Sequence, residues 1–352
     1  MAYIRLTDCL LFLFNPLSGK KIHLPSVETL SHYCKGVIRN SESGLIEYFI
    51  TCLGERYTPP VFAEAVVRWV VLSSSPMDDD CIAVICYGHN SKLGFCRIRG
   101  DNSWVELGSP YNSLYRPIVF HNGKKLFFTV SYYSNEIDAW DLHNNPIKRF
   151  HLKGQDGGVL STWYQPLEEE PDAYYEDEVE DEDEDEDEEY ARPSTNYLVY
   201  DHQSQELFIV LRRYSNKLDR EGKPAVPAVY RGDSTGFSTT FKTEFFDVLK
   251  VDFIKDDRAE LQYLEAGIGN RAFFIGKNPG LFSPLNHRIP ELRPNFIYFT
   301  DDLSYIEEYW GGHDFGIYDH GESSIYSCYY PHKIQKIWPA PIWFLPDVGA
   351  DL

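Results

Sequence analysis

Two short stretches of the sequence hold residue types and spacings that could do chemistry. In the first, GIGNRAFFIG (267–276), the pattern Gly-x-Gly-x-x-Ala matches the glycine spacing that binds the pyrophosphate of a dinucleotide. That chemistry requires a helix directly after the glycines, because the amides at the helix N-terminus bind the phosphates. Here the next residues, FFIGKNP, favour a strand that ends in a turn. We therefore interpret the glycines as a tight connection between two sheets, and we predict no bound cofactor.

The second stretch, GGHDFGIYDH (311–320), holds four candidate metal ligands: His313, Asp314, Asp319 and His320. In a strand, residues an even number of positions apart share a face, so Asp314 and His320 would face one side and the other two the opposite side. The spacing matches neither a facial triad nor a His-Glu-x-x-His motif. We predict a turn at residues 319–321 and no metal site.

The strongest local signal is an acidic tract. Between Glu168 and Glu189 there are 17 acidic residues and neither Lys nor Arg. Like charges repel and such a segment has little to bury, so we predict that residues 166–193 form a disordered insert between two structural repeats. The alternative is that the tract binds basic partners, such as histone-like tails or Lys-rich proteins. Its candidate contact residues are Asp181, Glu182, Asp183, Glu184, Asp185 and Glu186.

The seven tryptophans differ in their sequence context. Most lie in apolar segments, which predicts packing inside sheets. Trp163 and Trp310 lie in loop-like segments, LSTWYQP and EEYWGGHD, and are candidate anchors for a binding partner. Two Arg-Gly-Asp triplets, at 99–101 and 231–233, are interpreted as turns.

The elements that must position these residues are short strands joined by a recurring turn. In LFLFNPLSGKKIHLP (11–25), an apolar strand ends in an aromatic residue followed by Asn, and a second strand follows the turn. Asn or Asp at that point can bond its own backbone and start the turn. The same pattern recurs in IDAWDLHNNPIKRFHL, YLVYDHQSQELFIVLR and DFGIYDHGESSIYSCYY, and in looser form in GFCRIRGDNSWVEL and FFDVLKVDFIKDDRAELQYLE.

The spacing of this pattern predicts a β-propeller. Asp141 and Asp201 are 60 residues apart including an insert of about 22, and the next intervals, to Asp252 and Asp319, are 51 and 67. Periods of about 40 to 50 residues with four short strands each are typical of propeller blades. We predict an all-β, single-domain propeller over 1–352 with about six four-stranded blades, and between five and seven. A last strand in APIWFLP (340–346) would join the N-terminal hairpin and close the ring.

Bulk composition limits the partners. The net charge of −21 falls to −4 without the 17 acids of the tract, and Lys and Arg do not cluster, so we predict no nucleic-acid binding. No apolar stretch approaches the roughly 18 residues that span a bilayer, which predicts no membrane insertion. Seven cysteines without a Cys-x-x-Cys pair favour a reducing compartment. We expect a cytoplasmic or nuclear protein, and targeting to an organelle stays open.

Several motifs resemble a known family. LFLFNPLSGKKIHLP, RAFFIGKN, PNFIYFTDD followed by DFGIYD, and the terminal PIWFLP occur in the order found in the KIB-type β-propeller domain of plant F-box proteins. The resemblance covers residues 10 to 346. It implies a propeller that holds a target protein, in a chain whose F-box docks a Skp-type adaptor and a cullin ubiquitin ligase.

The start of this sequence departs from that plan. The Asn-Pro hairpin begins at residue 11, and LPSVETL (24–30) is not followed by a helical pattern, so we recognise no F-box and expect no Skp-type adaptor as a partner. A truncated gene model, a natural short paralogue and a stand-alone propeller all stay open.

The function expected from these features is that of a non-enzymatic interaction module. It would bind an unidentified client protein with a link to ubiquitin-dependent turnover, and one version is a decoy that occupies clients. The alternatives are a propeller enzyme, similar to a hydrolase or lyase, with its active site at the central channel, and a binder of basic proteins that uses the acidic tract.

Overall fold

The computed structural model shows a chain built almost entirely from short strands. Within the described residues, 23 strands form six sheets, with one α-helix and one short 3-10 helix. No helix in this part of the chain has the length and apolar character that crossing a bilayer requires. The structure describes residues 2–4, 11–15, 18–30, 33–88, 91–107, 115, 118–131, 136–144, 147–154, 157, 160, 194–218, 240–255, 257–284, 291–301, 314–327 and 343.

The first two sheets have three described strands each, and a 3-10 helix at Val27–Thr29 lies between them. The first sheet contains β1 Ala2–Ile4, β2 Leu11–Phe14 and β3 Lys21–His23. The second sheet contains β4 Cys34–Arg39, β5 Ile46–Thr51 and β6 Arg56–Tyr57.

The next three sheets are four-stranded and antiparallel, and their strands follow chain order. The third sheet contains β7 Val67–Leu72, β8 Ile82–Tyr87, β9 Lys92–Arg97 and β10 Val105–Leu107. The fourth contains β11 Val119–His121, β12 Leu126–Val130, β13 Ile137–Asp141 and β14 Lys148–His151. The fifth contains β15 Ser194–Asp201, β16 Glu206–Leu218, β17 Thr240–Lys255 and β18 Arg258–Tyr263.

The sixth sheet differs from the antiparallel, four-stranded blade that the sequence predicted. It contains β19 Arg271–Ile275, β20 Leu281–Pro284, β21 Phe296–Phe299, β22 Gly316–Asp319 and β23 Ser324–Ser327. The spatial order is β20-β19-β21-β22-β23, and β19 pairs with β21 in parallel. Strand β20 pairs with one edge of β19 as an antiparallel hairpin. The other edge of β19 therefore pairs with β21. Strand β19 is accordingly central, and four of its five residues are buried.

A helix precedes the third sheet. Helix α1 spans Pro59–Val66, and its first residue is a proline, whose fixed φ suits that position. Phe62 of the helix is fully buried and stacks on Phe49 of β5 at 4.1 Å between ring centroids. The helix therefore packs against the second sheet, and strand β7 begins at Val67.

The recurring turn predicted from the sequence is confirmed. In four hairpins, the side-chain oxygen of the residue after the aromatic accepts a backbone N–H two or three positions later. The accepting and donating residues are Asn15 and Ser18, Asp141 and His143, Asp201 and Gln203, and Asp319 and Gly321. The turn predicted at 319–321 is one of these four.

The turn of the β11–β12 hairpin spans residues 122–125, which include the Asn122-Gly123 pair. The positive φ of this turn, 56°, falls at Lys125 and not at the glycine. A Cβ at Gly123 would meet Oε1 of Gln205, the flexible end of a side chain that reaches across from the turn of the β15–β16 hairpin. The two neighbouring sheets therefore approach each other at their turns.

The sheets are arranged as blades around common inner strands. Strand β11 lies next to both β7 and β15, and β15 lies next to β20. Inner strands that neighbour one another, with apolar clusters between the sheets, are the arrangement of a β-propeller. We number the six sheets blades 1 to 6. The predicted all-β propeller is confirmed, and its described blades have three to five strands each.

The predicted closing strand at 340–346 falls almost entirely outside the described residues. Of these residues the structure describes Trp343, whose indole N–H donates to the carbonyl of Ile275 at 2.8 Å. Its ring packs against Phe274 at 5.1 Å between centroids. Trp343 thus lies against blade 6, and closure of the ring with the N-terminal hairpin stays a prediction.

Candidate functional site

A groove runs along the outer edge of blade 5. It encloses about 600 Å³, and we call it the edge groove. Because β18 is the outermost strand of its blade, the edge groove lies away from the inner strands where a channel active site would be. The groove is lined by Gly154, Leu160, Asp252, Ala259, Glu260, Leu261 and Gln262.

One end of the groove is closed by the chain that leaves blade 4. The backbone N–H of Lys153 donates to the carbonyl of Asp257, and the N–H of Ala259 donates to the carbonyl of Lys153, both at 2.9 Å. These two bonds form an isolated parallel bridge between Lys153 and Arg258. The edge of β18 therefore already accepts one residue as a strand partner.

Beyond that bridge, no described residue pairs with the backbone edge of β18. In an antiparallel pair, successive residues direct their backbone groups to opposite edges. Asp257 and Ala259 point outward, as their bonds to Lys153 show, so Leu261 also points outward. No hydrogen bond from another described residue reaches the outward N–H and C=O of Leu261.

The two faces beside this open edge have different chemistry. Ala259, Leu261 and Leu160 belong to the apolar cluster between blades 4 and 5. Asp252 and Glu260 lie on the opposite face, as direct register partners across β17 and β18. Lys255 and Arg258, also register partners of each other, lie on the same face as Asp252 and Glu260. The groove is thus apolar on one side of the strand and of mixed charge on the other.

The charged face combines carboxylates with cations. Lys250 is 3.0 Å from Asp252 and also 3.0 Å from Glu206, so one ammonium serves two carboxylates. Glu260 is exposed, and the structure records no ion pair for it within the described ranges. Like charges directly opposite across a strand pair destabilise it, but Lys250, Lys255 and Arg258 lie on the same face and offset the two carboxylates.

The most deeply buried charge of the described chain lies between blades 5 and 6. Arg212 is fully buried, its Nη2 is 3.0 Å from Oδ2 of Asp314, and its Nε donates to the hydroxyl of Thr243 at 2.7 Å. Its Nη1 donates to the carbonyl of Thr300 at 2.7 Å, and the ring of Phe299 lies 4.8 Å from the guanidinium. Burial raises the pKa of Asp314, and the charge of Arg212 opposes that shift. This pair holds two blades together.

The four candidate metal ligands are consequently dispersed. Asp314 binds Arg212, Asp319 forms its turn, and His320 is buried, which lowers its pKa. His313 lies outside the described residues. Among the residues the structure describes, no group of three or more His, Cys, Asp and Glu side chains is placed to hold a metal ion.

The glycines of the dinucleotide-like pattern lie between β18 and β19. Gly267 and Gly269 have φ of 99° and 70°, and the N–H of Ile268 donates to the side chain of Asn295 at 2.7 Å. The element that follows is the strand β19 and not a helix. The interpretation as a tight connection between two blades is confirmed.

A second ionic cluster lies where blades 5 and 6 meet near the turns. Arg271 Nε is 2.9 Å from Oδ2 of Asp201, and its Nη2 contacts Glu206. Burial alone would raise the pKa of Asp201, but hydrogen bonds from Ser204 and Arg271 hold it below its ordinary value. This carboxylate is therefore ionised and structural.

The third cluster, in blade 4, is centred on the buried Asp138. Its Oδ1 is 2.7 Å from Nδ1 of His151 and its Oδ2 is 2.5 Å from Nη2 of Arg149. Burial raises the pKa of Asp138, and both partners oppose the shift. Because Arg149 and His151 share the carboxylate, this cluster stabilises the β13–β14 pair.

The site residues proposed from the sequence lie outside the described residues. They are Trp163, Trp310, Asp181, Glu182, Asp183, Glu184, Asp185 and Glu186, so the structure leaves their predicted roles as predictions. The sequence reading missed Arg212 and the edge groove. A signal for Arg212 was present, because LFIVLRRY places it in register with the buried Phe208 and Val210. No sequence signal pointed to the groove, because the groove depends on how two distant segments of the chain meet.

Family comparison agrees with this architecture. The model of the KIB1-4 β-propeller family matches residues 2–319. The chain belongs to this family. The resemblance read from the sequence motifs is therefore confirmed, together with the propeller fold.

Comparison with individual proteins gives either a short match or a low identity. A putative F-box protein of Arabidopsis thaliana is 37% identical over 84 residues, which is 23% of this chain and 21% of that protein. The match thus spans about a fifth of the relative. A solved structure described as a complex of KlAtg21 with the coiled coil of AgAtg16 is 12% identical, with coverage of 72% of this chain and 76% of that chain and a TM-score of 0.25. At that TM-score the likeness supports no structural argument. Family and F-box relative together fit a protein-interaction module.

Proposed function

We propose that this chain is a non-enzymatic propeller that holds a client protein, in a process linked to ubiquitin-dependent turnover. The observation that carries the proposal is the edge groove, which combines a backbone edge that no described residue pairs beyond Lys153, an apolar wall and a wall of mixed charge. These are the features of a surface that recognises a protein segment.

The buried charged clusters of the described blades have structural roles, and this supports a binding role over a catalytic one. Arg212 with Asp314, and Asp138 with Arg149 and His151, satisfy one another inside the blades and stabilise the scaffold. The family and the F-box relative support a link to protein turnover. Residues 1–352 show no F-box pattern, so in this proposal the client is held without direct contact between this chain and a Skp-type adaptor.

The proposal is tested by asking which proteins touch the groove and depend on the chain. A photo-crosslinking residue is placed at Gln262, which lines the groove, and in a control chain at Met77, which is 54% exposed in blade 3. In plant cells we expect a small set of proteins to crosslink from Gln262 but not from Met77. Their half-lives, measured by isotope pulse labelling, should change when the chain is depleted.

The direction of that change separates two versions of the function. A client that lives longer after depletion indicates a receptor role, and a client that lives shorter indicates a decoy that shields it. If no protein meets both the crosslinking and the half-life criterion, the proposed function is wrong. A pull-down with a Skp-type adaptor checks the partner assignment, and a stable complex would contradict it.

A further inference from the structure

Cys52 differs from the other described cysteines in its access to solvent. Of the five cysteines in the described part of the chain, Cys52 is exposed, and Cys34, Cys81, Cys86 and Cys96 are buried. Burial raises the pKa of Cys34, and it raises the pKa of Cys86 and of Cys96 to about 12. Because the thiolate is the reactive form and oxidants arrive from solvent, buried and protonated thiols are inert.

The hydroxyl of Tyr33 is a buried donor next to the exposed thiol. Tyr33 is 7% exposed, and its hydroxyl has no hydrogen-bond partner within the described chain. The backbone N–H of Cys52 donates to the carbonyl of Tyr33 at 2.9 Å. This bond directly follows the register pair Cys34 and Thr51, so the side chains at positions 33 and 52 lie side by side where β4 begins and β5 ends.

The titration of Tyr33 agrees with this placement. Burial raises its pKa to about 12, and Cys52 is among the neighbours whose charge adds to the shift. The phenol therefore stays protonated at neutral pH and keeps an O–H to donate. Buried donors without an acceptor are rare in folded proteins, so this one requires an explanation.

A second hydroxyl without a partner in the described residues lies behind the first. Tyr87 of β8 is 1% exposed, and its ring meets that of Tyr33 edge-on at 6.3 Å between centroids. Burial raises the pKa of Tyr87, with smaller contributions from Cys86 and Cys52. Tyr33 is the nearer donor, because its backbone pairs with that of Cys52.

The charges around the pair are balanced. Glu55 raises the pKa of Tyr33 and Arg68 lowers it, so one carboxylate and one guanidinium lie within electrostatic range. The carboxylate of Glu55 accepts a hydrogen bond from the hydroxyl of Tyr57 at 2.6 Å. The feature that distinguishes this thiol is consequently the adjacent buried hydroxyl and not a local charge.

We propose that Cys52 is a site of oxidation to sulfenic acid by hydrogen peroxide, and that the Tyr33 hydroxyl donates to the oxygen that the sulfur gains. The sulfur attacks one peroxide oxygen, an S–O bond forms and the O–O bond breaks. The sulfur loses two electrons, and the second peroxide oxygen leaves as water with the thiol proton. The modification supplies an acceptor to a buried donor. This inference does not depend on the proposed function.

The first test locates the oxidised cysteine in the full chain. Cys9 and Cys328, which lie outside the described residues, are changed by Cys9→Ser and Cys328→Ser. The protein is exposed briefly to dilute hydrogen peroxide with a 1,3-dione that labels sulfenic acid, and mass spectrometry gives the labelled fraction at each cysteine. We expect at least about tenfold more label at Cys52 than at any buried cysteine. Label at Cys52 no higher than at the buried cysteines overturns the inference.

The second test separates the hydroxyl from exposure alone. Tyr33→Phe removes the hydroxyl and keeps the ring, and it should lower the labelling of Cys52 about fivefold, which corresponds to about 1 kcal/mol for one hydrogen bond. Tyr57→Phe is the matched control, since it removes a neighbouring hydroxyl that already donates to Glu55, and it should leave the labelling unchanged. Equal labelling in Tyr33→Phe and the original chain overturns the inference, because exposure would then explain the reactivity.

A reference peptide makes the same comparison with tyrosines 33 and 57 in place. The synthetic peptide FITCLGER, residues 49–56, carries the thiol and Glu55 but lacks Tyr33. We expect Cys52 of the folded chain to be labelled about fivefold faster than the peptide thiol. A rate equal to or below that of the peptide overturns the inference, whatever the stability of the tyrosine variants.

Discussion

The seam between blades 5 and 6 adds a buried ion pair to its apolar cluster, whereas the apolar seam between blades 4 and 5 opens into a groove at its outer edge. At the first seam, Arg212 bonds Asp314, Thr243 and Thr300 with no exposed side-chain surface of its own. At the second, an apolar cluster joins the sheets, and β18 keeps a free stretch of edge within the described residues.

The difference separates a rigid part of the scaffold from the part to which the proposed function assigns recognition. A buried ion pair tolerates little displacement, because its partners lose their compensation when they separate. An apolar seam with an open edge has hydrogen-bonding groups available for a ligand. The four predictions below would break or sharpen this contrast.

The largest effect is expected at the charged seam. Arg212→Met leaves Asp314 buried without its cation, which should lower the free energy of unfolding by about 3 to 5 kcal/mol. Chemical denaturation followed by tryptophan fluorescence measures the loss. Arg213→Met is the matched control, since the side chain of Arg213 is 20% exposed whereas that of Arg212 is 0% exposed, and its partner Asp247, 3.3 Å away, also accepts a hydrogen bond from Tyr263. Equal losses in the two variants would remove the distinction between the seams.

The apolar seam should respond to pH through His121. Its ring packs on Tyr200 and Phe253, and burial, with a smaller contribution from Lys124, lowers its pKa to about 4. Folding therefore favours the neutral imidazole, whose pKa in an unfolded chain is about 6.5. The stabilisation is complete above about pH 6.5 and is lost as the pH falls toward about 4, by at most about 3 kcal/mol.

Unfolding curves across that pH range measure the contribution. His121→Gln should flatten the loss, and His320, whose pKa is also lowered, should leave a remainder. His23→Gln, the same change at an exposed position, controls for the removal of a histidine. A His121→Gln variant with the same pH dependence as the original chain would show that this seam does not depend on a neutral ring.

A smaller effect is expected where blades 5 and 6 meet near their inner strands. A Cβ at Gly280 would overlap the backbone carbonyl oxygen of Leu198, and backbone cannot move aside as a flexible side chain can. Gly280→Ala should lower the free energy of unfolding by about 1 to 3 kcal/mol. Gly100→Ala is the control, since its nearest contact would be an ordinary 3.7 Å. Similar melting temperatures for both variants would contradict the close approach.

The smallest effect has the opposite sign and concerns the groove. Glu260→Gln removes one of two carboxylates that face each other across β17 and β18, so it should raise the free energy of unfolding by a few tenths of a kcal/mol. Glu265→Gln, at an exposed acid beyond the strand, should leave stability unchanged. A loss of stability in Glu260→Gln would mean that this carboxylate already has a stabilising cation.

Sequence patterns predicted the local parts of this fold well. The hairpins at Asn15, Asp141, Asp201 and Asp319 were recognisable because an Asx side chain bonds backbone only two or three residues away. The parallel pairing of β19 with β21 was not, because it is decided by which edge a distant hairpin leaves free. Helix α1 was missed because its eight residues are followed directly by strand residues.

The candidate site was predicted less well than the fold. Sequence reasoning emphasised exposed tryptophans and acids, which lie outside the described residues. The edge groove depends on Lys153 meeting Ala259 across more than 100 positions of sequence, a contact that no local pattern encodes. Arg212 could have been identified from the sequence, since a charged residue at a buried position of a strand requires a partner.

The bridge at Lys153 also has a consequence for the length of the chain between blades 4 and 5. Leu160 is anchored by its N–H to the carbonyl of Leu152, and Ser194 enters β15 in continuous register with β16. The positions where residues 161–193 depart and return are therefore set by blade backbone. Closing a flexible connection between fixed ends costs only about 0.6 kcal/mol for each doubling of its length. This point of the propeller can therefore accept a whole inserted domain, such as a fluorescent reporter, without a change of register on either side.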